Sequence, residues 1–302
     1  MDLSDSKSSD INLSLFWSHF SSKPPFKLQQ SLMNIIYNNS ADLLLSSANS
    51  LKDKARLLAC RVKHSGAWLS ALPSHSYLSL MDSHYALTFR LRLGLPPQDD
   101  LPLFCECHAP LDENDINHFF RCKLYRRTFI TGRHDIIVHL LATFIRSAGG
   151  AVFIEPKHLS NKRPDSQVRW PGDTDLVDAS ITDPTCPSYV QSASSFPLAA
   201  AGYRERSKRT KYLPVATEER AGFVPFVMET FGGFGKDALA FLDKISKIHS
   251  ELSPFPTSPF ALKSFMVRAL SVALQRGNAY VQLRAAQAVR THAGAQVGYA
   301  FQ

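Results

Sequence analysis

Between Val177 and Thr182 the side chains alternate in kind: Val177, Ala179 and Ile181 are apolar, while Asp178, Ser180 and Thr182 are polar. Successive side chains of a strand point to opposite faces, so this stretch reads as a strand that turns Asp178 away from the core. Two shorter strand signals precede it. Ala151 to Glu155 is an apolar run behind a glycine pair, and Ser166 to Trp170 is closed by Pro171-Gly172, a dipeptide that ends strands. Upstream, Asp135 to Arg146 has the spacing of an amphipathic helix. Downstream, Phe196 to Tyr212 reads as a helix with an alanine-rich start and a basic end, and Phe223 to Met228 as a fourth strand. The expected order is helix, three strands, helix, strand, which is an α/β (α+β) core.

The rest of the chain is divided by its turn residues. Residues 1–26 are loose and polar and end at Pro24-Pro25; helices are expected at Leu28 to Ala48, Leu51 to Lys63 and Tyr77 to Leu93. The glycines of Phe231 to Gly235 turn the fourth strand into a helix from Asp237 to Ser250; they are no phosphate loop, because Lys236 lacks the following Ser or Thr that such a loop requires. After a proline-rich loop at 253–259, two helices are expected, Phe260 to Gln275 and Ala279 to Arg290. This gives a flexible N-terminus (1–26), a helical region (27–103), a cysteine-bearing segment (104–123), the α/β core (124–250) and C-terminal helices (251–302). At 302 residues and 44% hydrophobic content the chain can bury a substantial core, enough for one domain with a helical extension or two small ones.

Charge adds a partner. The formal net charge is +8, a balance that favours polyanions. Basic side chains cluster twice, at Arg121, Lys123, Arg126, Arg127 and Arg133, and at Arg204, Arg206, Lys208, Arg209 and Lys211. Phe119, Phe120 and Tyr125 interleave with the first cluster. Cations would hold phosphates and rings would stack bases, which suits a nucleic-acid partner, DNA or RNA. Five cysteines suit a reducing compartment rather than a disulfide framework. Met1 to Asp10 is polar and acidic, unlike a secretory signal, and Arg146 interrupts the most apolar stretch, so neither secretion nor a membrane is expected. No small-molecule cofactor is implied. The adjacent pair Asp99-Asp100 follows Pro96-Pro97 in a loop-like stretch, so no polymerase palm is expected.

Two constellations carry chemistry. Cys105, Cys107, His118 and Cys122 offer three thiolates and an imidazole within eighteen residues, a donor set for tetrahedral zinc. His108 is an alternative ligand, and reduced structural cysteines beside a packed histidine are the plain alternative. The second constellation is Glu155, Asp165 and Asp178 with Lys208 and Lys211. Carboxylates on neighbouring strands can share a divalent cation such as magnesium or manganese, and a lysine from a following helix can offset charge on a reacting phosphate.

The motifs Arg133-His134-Asp135, Glu155-Pro156, Arg163-Pro164-Asp165, Val177-Asp178-Ala179-Ser180-Ile181 and Lys208-x-x-Lys211-Tyr212 resemble the restriction-endonuclease-like fold with its PD-(D/E)xK signature. More closely, they resemble the nuclease region at the C-terminal end of site-specific non-LTR retrotransposon proteins. In that version the catalytic lysine has left the strand for the next helix, and here Ser180 stands where the general signature has lysine. The resemblance implies Asp165 and Asp178 as magnesium ligands, Glu155 as an accessory ligand, and Lys208 or Lys211 as the catalytic lysine. Cys105, Cys107, His118 and Cys122 would form the knuckle that precedes the Arg-His-Asp motif in such proteins. With Arg126, Arg127, Arg133, His134, Arg204 and Arg209 as contacts to nucleic acid, the chain is expected to be a nuclear DNA endonuclease module detached from its polymerase. A binding remnant that no longer cuts is the other function class.

Overall fold

A four-stranded mixed sheet carries the alternating stretch and its neighbours. The computed structural model describes residues 28–111, 115, 117–159, 163–254 and 257–300, with backbone alone for 28 and 293–300. The chain divides into two units, Met1–Ser47 and Ala48–Gln302. In the first, α1 spans Leu28–Ser47; the N-terminus expected to be loose, 1–26, lies outside the described residues.

The second unit begins with α2 (Leu51–Arg61) and α3 (Asp82–Leu93). Ser50 caps α2 by accepting from the Asp53 amide at 3.0 Å, and α3 ends on Gly94, whose φ of 80° is the left-handed turn that glycine supplies without strain. Then follow α4 (Thr131–Ser147), β1 (Ala151–Ile154), β2 (Ser166–Trp170), β3 (Asp173–Thr182), α5 (Ala199–Glu218), β4 (Gly222–Glu229), α6 (Lys236–Leu252) and α7 (Pro259–Ala300). The sheet order is β1-β2-β3-β4. The first two pairings are antiparallel and β3–β4 is parallel, so β3 and β4 need a crossover, which α5 provides.

Each face of the sheet has its own core. Val177, Ala179, Phe226 and Met228 pack with Ile137, Leu141 and Ile145 of α4, Leu242 and Ile245 of α6, and Leu270 and Leu274 of α7. Side chains of this size contribute about 1.5–3 kcal/mol each when fully buried. The opposite face sends Leu176 and Phe223 against Tyr212, Val215 and Ala216 of α5. Asp178 does point away from the principal core, as its place in the alternation requires, yet it is only 2% exposed because α5 covers it.

Several boundaries differ from expectation. In place of two C-terminal helices there is one, α7, which runs through Gly277-Asn278 without a break. The glycine serves close approach: a Cβ there would lie 2.7 Å from Cγ of Arg133. Helix α5 continues past Tyr212 through Pro214 to Glu218. The Tyr77 to Leu93 segment is a 3-10 turn, Ser76–Leu78, followed by α3 from Asp82. The second basic cluster's helix starts at Ala199, after a short helical turn at Val190–Ala193. Asp99 and Asp100 are exposed and paired with Arg90 and Arg290. Among the described residues no helix is long and apolar enough to cross a membrane.

Candidate functional site

Strand register brings the acids together. In the β2–β3 ladder Ser166 lies opposite Val177, so Asp165 and Asp178, one step further, face each other across the antiparallel pair and share a side of the sheet. The Asp165 carboxylate accepts the Ala179 amide at 2.7 Å and meets His134 Nε2 at 3.1 Å. Burial raises the pKa of Asp178, the Asp165 charge raises it further, and Lys208 and Tyr212 oppose both. Two hard oxygen donors on one side of the sheet, with the charge of Asp165 disfavouring that of Asp178, are chemistry that a divalent cation relieves.

The cation side comes from α5. Lys208 pairs directly with Asp178 Oδ2, and Arg204 Nε donates to Ser180 Oγ at 3.1 Å. Tyr212 Oη lies 3.1 Å from the Arg163 carbonyl and also reaches Asp178; burial and the Asp178 charge push its pKa upward. Lys211 instead donates to Tyr212 Oη at 2.7 Å and sits over that ring. Of the two lysines, only Lys208 is placed on the carboxylate.

This row was legible in a spacing that the motif reading passed over. Arg204, Lys208 and Tyr212 are four residues apart, about 6 Å along a helix, and Ser180 and Asp178 are two apart, about 6.7 Å along a strand. One helix stripe therefore tracks one strand face. The helix runs against the strand, so Arg204 meets Ser180 and Lys208 meets Asp178.

Other expected site residues fall elsewhere. Glu155 continues the same cross-strand row, its amide donating to the Asp165 carbonyl at 2.8 Å, but its φ of 47° leaves the strand conformation and its side chain is exposed. It does not join Asp165 and Asp178 as a third ligand among the described residues. Arg133, expected on phosphate, is instead buried: it donates to Asn278 Oδ1 at 2.8 Å and lies over Phe120. Desolvation lowers its pKa to about 10. His134, also expected on nucleic acid, bridges Asp165 and Asp135. Burial alone would lower its pKa, but hydrogen bonds and charge from the two aspartates raise it to about 9. Arg209 pairs with Asp237 at 2.8 Å. Arg126 and Arg127 are exposed. Phe119, Phe120 and Tyr125 cannot stack bases, because they form a second core with Val281, Ala285 and Val289 of α7.

The four soft ligands do converge. A tight turn, in which the Cys105 amide donates to the Ala109 carbonyl at 2.9 Å, presents Cys105 and Cys107. One helical turn, with the Cys122 amide on the His118 carbonyl at 3.0 Å, presents His118 and Cys122. Their ligand atoms all lie within 4.8 Å of one another, with Cys105 Sγ to Cys122 Sγ 3.9 Å and Cys107 Sγ to His118 Nε2 3.3 Å. Tetrahedral zinc with bonds of about 2.3 Å to sulfur and 2.0–2.1 Å to nitrogen would set these at about 3.8 and 3.6 Å. The cluster could hold a metal such as zinc, and His108, exposed and outside it, is excluded as a ligand. Burial and the neighbouring thiols push Cys122 up to about 12, so metal binding must displace protons. Tyr125 Oη, 3.8 Å from Cys105 Sγ, braces the site.

Asp183 and Glu229, half-buried and buried, were not among the expected site residues. Asp183, just past β3, bonds Asn117 and Thr185 and is raised by burial. Glu229, at the end of β4, accepts the Ala201 amide at 3.1 Å while its other oxygen has no partner. Burial raises it to about 7. Neither a scan against models of known protein families nor a comparison with curated proteins finds a match for this chain.

Proposed function

We propose that the chain is a metal-dependent endonuclease of the restriction-endonuclease-like kind, related to the nuclease and knuckle region of non-LTR retrotransposon proteins, with DNA as substrate in the nucleus. The observation that carries the reading is the facing pair Asp165 and Asp178 with Lys208 arriving from the crossover helix. Asp165 and Asp178 would hold magnesium or manganese, which when bound supplies electrophilic assistance to the phosphodiester. The protein's own part is positional. Asp165 is fixed by the Ala179 amide and His134, and Lys208 places an ammonium group beside the reacting phosphate, where it offsets charge developing in the transition state. Arg204 fixes Ser180 at the position where the general signature has lysine. Cys105, Cys107, His118 and Cys122 would hold structural zinc, tying the segment before α4 to α7.

The reading is tested by nicking of supercoiled plasmid with added magnesium. Parent protein is expected to nick and Asp178→Asn to lose nicking while still binding DNA; equal rates for the two proteins reject the assignment. Binding without cutting by the parent itself favours the silent remnant instead.

A further inference from the structure

A concentration of unpaired positive charge lies away from the carboxylates, in the helical layer on the other face of the sheet. Here the residues after α2, the outer side of α6 and the first turns of α7 enclose a cleft of about 780 Å³, within the roughly 300–1,000 Å³ usual for ligand sites. Its cationic lining is Lys63, Lys247, Lys263 and Arg268, with His64 beside them. Among the described residues that line it Asp243 is the only acid, and Lys263 already occupies that carboxylate at 2.6 Å. Lys63 and Lys247 are exposed and form no ion pair among the described residues, and Arg268 is held only by Ser264, at 2.9 Å. Lys63 and Lys263 act together on His64, whose pKa is lowered by burial first and then by these two charges.

Two further features suit a ligand with bases. Phe260 stands at the cleft 82% exposed and stacks on no other ring among the described residues, which leaves its face open to a base. His64 holds a φ of 72° although it is not glycine, the type of local strain that collects at binding sites. The cations come from three separate elements, which fits successive phosphates of a strand better than a single anion, and the free ring favours nucleic acid over an acidic peptide.

We propose that this cleft binds a short segment of single-stranded nucleic acid, with Lys63, Lys247 and Arg268 on phosphates and Phe260 stacked on a base. It extends the reading above by giving the molecule a second strand-holding site, on the face opposite the cutting one. Binding here does not require cleavage, so all proteins for the test carry Asp178→Asn.

The probe is an octathymidylate with one central 5-iododeoxyuridine, titrated by fluorescence anisotropy over a range of salt and then photocross-linked to the full chain. The expected cross-link maps to the peptide containing Phe260. Lys63→Ser with Lys247→Ser is expected to weaken binding about tenfold and to reduce the slope of log affinity against log salt by about 1.4, two phosphate contacts at about 0.7 each. Lys63→Arg with Lys247→Arg should restore both, which a folding defect would not. Cross-links confined to other peptides, or an unchanged affinity and slope in the serine variant, would overturn the proposal. So would equal competition by polyglutamate, which would make the partner an acidic peptide, or equal cross-linking of 5-iododeoxyuridine monophosphate, which would make it a free nucleotide.

Discussion

A carboxylate as enclosed as Asp178 is costly unless a cation meets it, and Lys208 does so at the cost of its own hydration. The lysines nearby are therefore not equivalent. Lys208→Met should reduce nicking about 10²- to 10³-fold, the usual loss for one transition-state contact, whereas Lys211→Met, which only frees Tyr212, should stay within about threefold. Initial-rate comparison on plasmid checks this, and equal losses would contradict the geometry. Glu229 gives a pH signature that is independent of the site. Its folded pKa, about 7, lies above the ordinary 4.5, so the folded state binds the extra proton between those values and stability falls as pH rises from about 4.5 to 7. Asp183 beside it is shifted in the same direction. Glu229→Gln keeps the acceptor for Ala201 and removes the charge. Its Tm should match the parent at pH 4.5 and exceed it at pH 8; a Tm below the parent at pH 8 would refute the burial argument. At this scale the sequence showed which residues carried charge but not which were enclosed. Arg133 and Glu229 look like surface residues until α7 and α5 are folded over them.

Alternation and punctuation did place the elements. β2 has the bounds expected of it, Ser166–Trp170, and Asp178 lies on the expected face of β3. Where local signals misled, long-range contact overrode them. Gly277-Asn278 reads as a helix break, but in α7 the missing Cβ admits Arg133 and the amide of Asn278 bridges Arg133 and the Thr230 carbonyl. An alanine in an ordinary helix interior would gain about 1 kcal/mol over glycine. At position 277 overpacking against Arg133 should cost about 1–3 kcal/mol and reverse the sign. Urea denaturation of Gly277→Ala is expected to show net destabilisation, and a gain in stability would mean that α7 and α4 do not meet there.

For the molecule as a whole, the four-ligand cluster and the aromatic residues beside it form one structural block with α7. Phe119, Phe120 and Tyr125 fill the space between that cluster and Val281, Ala285 and Val289. Aromatic residues in a basic segment suggest base stacking when read in sequence, and only their packing against a helix more than 150 residues away shows that they are core. Purified protein should contain one zinc per chain by elemental analysis. Chelation or Cys122→Ser should lower Tm and expose these rings to a hydrophobic dye, because metal binding and folding of such segments are coupled. An unchanged Tm after complete zinc removal would separate the cluster from the fold.

The account rests on Asp165 and Asp178 holding one divalent cation between them. Manganese binding followed by electron paramagnetic resonance on zinc-loaded protein measures that directly. One bound manganese per chain is expected in the parent, with loss of that site in both Asp165→Asn and Asp178→Asn. Undiminished binding in both variants, or none in the parent, would contradict it.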